Sequence, residues 1–157
     1  MSAKSAISGI GTYAIGLVIM LAVLSIPALL IHGVALIGPK VFPWLMSLSI
    51  ILLALNIVVL LPMSLIPPTR PWAGLGFFIS SYIFGLTGWF MGLLLTWAIW
   101  GGVVVIIGLL FMGIGVVPLG MLATLFNGMW LELGLLTFVL ILTFGLRTLG
   151  MTLAEKA

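Results

Sequence analysis

The chain has 157 residues, of which 64% are hydrophobic and only seven charged, five basic and two acidic. An average soluble chain of this length, at about 25% charge, would carry roughly 40. That contrast excludes a water-soluble globular domain. Between Arg70 and Glu132 there is no charged side chain, a stretch longer than two bilayer crossings of about 20 residues each. The composition therefore predicts an all-α, polytopic integral membrane bundle forming one domain over residues 1–157.

The first segment is expected over residues 10–37, ending at Gly38-Pro39-Lys40, where glycine and proline stop a helix. Its apolar run is longer than the 7 to 15 residues of a signal sequence, so a retained span is expected rather than a cleaved leader. The second segment covers residues 41–66 and ends at Pro67-Pro68-Thr69-Arg70-Pro71. Both turns combine prolines, one basic residue and a tryptophan: Lys40 with Trp44, and Arg70 with Trp72. Trp and Lys/Arg favour the headgroup level. Trp44, Trp72 and Trp100 recur at a spacing of 28, and Trp130 follows at 30, a rhythm of one crossing plus its turn. Segments three to five are accordingly expected over residues 73–99, 103–126 and 129–149, with Arg147 anchoring the last.

Five full spans would divide the basic residues almost evenly, with Lys4 and Arg70 against Lys40, Arg147 and Lys156. Four spans with a re-entrant fourth segment would put four of them on one side and leave Lys40 alone, as the positive-inside rule favours. A fold-back point exists in that segment, where Gly113, Gly115, Pro118 and Gly120 cluster near its middle. A kinked but continuous helix is the default, because proline and glycine are common in membrane helices. Lys4 beside the first span predicts a cytoplasmic N-terminus.

The chain has no Asp and no Cys, and its only carboxylates and imidazole are Glu132, Glu155 and His32. The residues needed for aspartyl proteolysis, zinc hydrolysis or thiolate chemistry are thus missing. No enzyme activity, metal or cofactor is expected. The basic residues are scattered singly, so nucleic acid is not an expected partner and the lipid bilayer is.

The third segment carries a seam of small residues, Gly74, Ser81, Gly85, Gly88, Gly92 and Thr96, within about 80 degrees of one another on a helix. Small residues let backbones approach in a bilayer, either within one chain or between copies. Asn56 lies near the middle of the second segment, where an amide should face protein or water. Glu132 opens the fifth segment, where an acid complements the helix dipole. His32 lies near the end of the first, where it offers a pH-sensitive imidazole. These features lead to a non-catalytic membrane protein that works through helix packing, as a homo-oligomer or as a small subunit of a membrane complex. The alternative is a small-solute or ion channel or transporter. It would use the broken fourth segment, residues 113–120, with Glu132 and Asn56.

Overall fold

In a computed structural model the backbone is described for residues 3–111 and 113–155. Side chains are described for residues 15–155, apart from 22–24, 26–32, 34, 35 and 112. His32 and most of the expected first segment therefore lie outside the described side chains. Every regular element among the described residues is a helix, and there is no strand among them. The order is α1 (Ala3–Leu55), a π-helical turn (Asn56–Leu60), α2 (Leu61–Leu65), a 3-10 turn (Pro67–Thr69), α3 (Arg70–Trp100), α4 (Gly102–Leu110), α5 (Val116–Phe126) and α6 (Trp130–Glu155). Three stretches are long and apolar enough to cross a membrane: Leu36–Leu65, Pro67–Trp100 and Trp130–Glu155.

The turn expected at Gly38-Pro39-Lys40 is absent, because α1 is helical through it. A proline inside a helix costs about 3 kcal/mol, whereas a full stop leaves up to four carbonyls and four N–H groups to be satisfied elsewhere. No Ser, Thr, Asp or Asn lies between Gly38 and Trp44 to cap such an end. Continuing the helix is the smaller penalty.

Pro62 leaves a different mark. It has no N–H to donate to the preceding turn, and just ahead of it the helix widens to the π form, with the Leu61 N–H bonding the Asn56 carbonyl. The chain then stops where expected, at Ile66-Pro67-Pro68. Thr69 Oγ1 donates to the carbonyls of Met63 (2.7 Å) and Ile66 (3.0 Å), and Arg70 Nε to that of Ser64 (3.3 Å). Acceptors orphaned at the end of α2 are thereby satisfied by the first residues of the next element.

Helix α3 is the central element, and every other long helix packs on it. Helix α6 lies antiparallel to it, with Gly150 against Gly74, Thr143 against Gly85 and Val139 against Gly88. Helix α1 is antiparallel as well, since Ser49 meets Thr87 and Leu60 meets Gly76. The turn at Pro67 and the last turns of α6 thus share one end of the bundle. Gly101 and the Asn127-Gly128 turn share the other.

The expected fourth segment, residues 103–126, is not one helix. It breaks over residues 111–115 into α4 and α5. Gly102 lies beside the Trp97 ring and Phe126 beside the Trp100 ring, so the segment begins and ends at the same end of α3. Its tip reaches Trp89, whose indole N–H donates to the Gly113 carbonyl at 2.9 Å. The broken segment thus folds back on itself against α3, and neither of its halves is among the three stretches long enough to span. The break follows from its residues: Gly113 takes a left-handed φ of 74°, which side-chain-bearing residues rarely adopt, and α5 starts three residues later. Trp89 lies 11 residues from Trp100, about 16 Å along the helix, or roughly half of a 30 Å hydrocarbon layer.

Candidate functional site

The face of α3 predicted to carry the small-residue seam meets two different partners. Toward the Pro67 end it faces α6. A Cβ on Gly74 would lie 2.9 Å from the Gly150 carbonyl oxygen, one on Gly88 would lie 3.1 Å from Val139 Cγ1, and one on Gly85 would lie 3.3 Å from Thr143 Cγ2. Toward the Gly101 end it faces α5. There a Cβ on Gly92 would lie 3.0 Å from Val117 Cα, and one on Gly120 would lie 2.8 Å from both Cα and the carbonyl oxygen of Gly92. Backbone touches backbone at Gly74–Gly150 and at Gly92–Gly120, an approach open only to residues without a side chain.

The polar members of the seam are buried and locally satisfied. Ser81 Oγ donates to the Phe78 carbonyl at 2.6 Å, and Thr96 Oγ1 lies 2.7 Å from the Gly92 carbonyl and 3.4 Å from that of Val116. Thr124, on α5, likewise bonds the Gly120 and Met121 carbonyls. Hydroxyls that bond their own helix let polar residues sit in an apolar interface without an unpaired group. Ser49, one heptad before Asn56, bonds Thr87 Oγ1 at 2.8 Å and ties α1 to α3.

Asn56 has no such partner. It is 3% exposed, and neither its amide nitrogen nor its amide oxygen is hydrogen-bonded. It borders an apolar cleft of ≈450 Å³ whose other walls include Leu53 of α1, Phe77 of α3, and Phe138, Leu142 and Leu153 of α6. A second cleft, of ≈320 Å³, lies toward the Gly101 end between Phe42 and Met46 of α1 and Glu132 and Leu135 of α6, over Met91 and Ala98. Phe77, Met91 and Ala98 are whole heptads apart, so both clefts lie over one face of α3, in the gap between α1 and α6.

Glu132 is in the first turn of α6, half-buried, with no ion pair among the described residues. It lies on a different face of α3 from the broken segment, which α3 meets through Trp89, Gly92 and Thr96. Gly113, Gly115, Pro118 and Gly120 belong to the hairpin. A Cβ on Gly115 would lie 3.1 Å from the Gly108 carbonyl, while Pro118 faces outward from α5. Of the expected anchors, Trp44, Trp72 and Trp130 are exposed and Trp100 is half-buried. Arg70 and Arg147 lie toward the Pro67 end. Lys40, two residues from Phe42 in the second cleft, lies toward the Gly101 end.

Sequence reasoning missed Gly150, the counterpart of Gly74, and Gly108, which packs on Val116 of α5, and it read Gly120 only as part of the break rather than as the partner of Gly92. Their signal was present in spacing alone, but nothing local says which glycines meet. In the structure Trp89 serves the hairpin tip, and Phe78 and Tyr82 form an edge-to-face pair 5.2 Å apart under Arg147. No protein-family model, curated protein or solved structure matches the chain.

Proposed function

We propose that this is a non-catalytic integral membrane protein that acts through contacts between helices within the bilayer, as a homo-oligomer or as a small subunit of a larger membrane complex. The observation that carries this reading is the pair of clefts between α1 and α6, with the unpaired Asn56 at the edge of the larger one. A buried amide without a partner costs stability, and a neighbouring helix that supplies a hydrogen bond recovers it. Light scattering on the purified protein in mild detergent should give a mass above one chain. Leu142→Trp, which places an indole in the cleft, should lower that mass while helix content stays intact. A monomer in both detergent and lipid nanodiscs, indifferent to that substitution, would overturn the reading.

The break in the fourth segment supports a second reading, a channel or transporter for a small solute or ion. Half-length helices meeting near the midplane are a device of transporter binding sites. Here the break is packed against α3 by Trp89, and Glu132 lies over another face. Ion or solute flux through the wild-type protein in proteoliposomes is the test of this reading.

For orientation, the hairpin leaves Arg70 and Arg147 toward the Pro67 end and Lys40 toward the other. We assign the Pro67 end, where α6 ends, to the cytoplasm on this asymmetry. Because α1 runs unbroken from Ala3 past Lys40, its start lies beyond the opposite end, against the cytoplasmic N-terminus expected from Lys4. Reporter fusions at the two termini should then give opposite signals, and agreement would refute the unbroken course of α1.

A further inference from the structure

Arg147 is an exposed guanidinium on the lateral face where α3 and α6 cross. Its Cζ lies 6.0 Å from the centroid of the Phe78 ring and 5.7 Å from that of Tyr82, and the two rings stand edge-to-face at 5.2 Å. The aromatic pair holds the cation from one side. Among the described residues no carboxylate or carbonyl accepts from it, and the Tyr82 hydroxyl has no partner either. The pairings of Gly74 with Gly150 and Gly85 with Thr143 put Arg147 level with residues 79 and 80 of α3. That is about 14 Å along the axis from Arg70, within the apolar belt and beyond the level of Trp72. Glu132 is 15 residues away on the same helix, about 22 Å, and Glu155 lies two turns nearer the Pro67 end. A second copy related by an axis normal to the membrane would present its carboxylates at the same unsuitable depths.

An ionised side chain at such a depth needs a counter-charge. Phe78, the ring beneath Arg147, also lines an apolar cleft of ≈340 Å³ with Pro71, Gly74, Gly150 and Ala154, which lie from Arg147 toward the Pro67 end. We propose that the Arg147–Tyr82–Phe78 cluster is a binding site for a phosphate group, supplied by the headgroup of an anionic phospholipid drawn in along this cleft. The planar guanidinium offers two parallel N–H donors to phosphate oxygens, the Tyr82 hydroxyl is placed to give a third, and the Phe78 ring holds the orientation.

Native mass spectrometry of the purified protein, incubated with equal amounts of phosphatidylglycerol and phosphatidylcholine, tests the site. The wild type should retain phosphatidylglycerol preferentially, by about ten-fold, the scale of one charge-assisted bidentate contact. Arg147→Gln should abolish the preference, Arg147→Lys should keep part of it, and Tyr82→Phe should weaken it a few-fold, with circular dichroism confirming the fold of each. Should Arg147→Gln fail to fold, Arg147→Lys and Tyr82→Phe carry the test. Arg70→Gln is the control for net charge and should leave the preference unchanged. Equal loss with Arg70→Gln, or an unaltered preference in Arg147→Gln, would overturn the proposal. Equal retention of both lipids by the wild type would also overturn it, and would point to a carboxylate on another chain. Displacement of the lipid by millimolar inorganic phosphate would overturn the lipid source.

Discussion

The two halves of α3 are built from the same kinds of residue and end in different surroundings. Toward Gly101 the helix is covered by α1, α4, α5 and α6, with Leu93, Val105 and Val116 buried at the centre. Toward Pro67 it is flanked by α1, the π turn, α2 and α6, and Leu75, Ile79 and Tyr82 are exposed. The folded-back hairpin of α4 and α5 makes the difference. It reaches only as far as Trp89, so half of one face is sealed by protein and the other half is left to lipid. Small residues are needed in both halves for backbone approach. Coverage depends on how far the neighbouring element extends.

The largest effect on this contrast is expected from Gly120→Leu or Gly92→Leu. Each would force a branched side chain against backbone 2.8 to 3.0 Å away, which cannot move aside without displacing the hairpin. A loss of about 3 kcal/mol, the upper end for overpacking, should appear as a lower melting temperature in detergent. The surroundings of Trp89 should also change in fluorescence. Gly88→Ala, facing only the Val139 side chain, should cost less, and an equal cost would mean that this side chain yields no more readily than backbone.

Trp89→Phe removes the donor to the Gly113 carbonyl and leaves that acceptor unpaired near the middle of the hairpin. The expected cost is about 1 to 3 kcal/mol, with faster hydrogen exchange at residues 111–115 and no change at the Gly74–Gly150 crossing. Uniform loosening of both halves would refute the independent role of the tip.

Asn56→Leu replaces an unpaired buried amide with an apolar group of similar size, so the isolated chain should be unchanged or stabilised by about 1 kcal/mol. Thermal melting reads this directly, and destabilisation by more than that would mean the amide is satisfied in solution. The smallest effect is expected at Glu132→Gln, at most about 1 kcal/mol of helix-end electrostatics, with the mass of the assembly unaltered. In the channel reading the same substitution would cut ion flux by about an order of magnitude, as removal of the carboxylate from a permeation path would.

Much of this fold can be read from the residues alone, because the bilayer makes composition a structural constraint. Long apolar runs without charge must be helical there, since no water satisfies the backbone. The stop at Pro67-Pro68 and the seam of glycines on α3 are legible for local reasons, a missing donor and a missing Cβ. The failure at Gly38-Pro39 is local too: two helix-breaking residues without a cap do not outweigh the hydrogen bonds on either side.

Only the tertiary structure decided how the glycine cluster at residues 113–120 is used. A kinked helix and a folded-back hairpin share every local preference, and the choice rests on whether Gly120 can reach Gly92 and whether a tryptophan stands ready to bond the exposed carbonyl of Gly113. The same holds for Asn56, Arg147 and the gap between α1 and α6. Residue type reveals that an amide or a guanidinium in an apolar segment wants a partner. Whether it has one depends on which helices come together, and that depends on contacts between residues far apart in the chain.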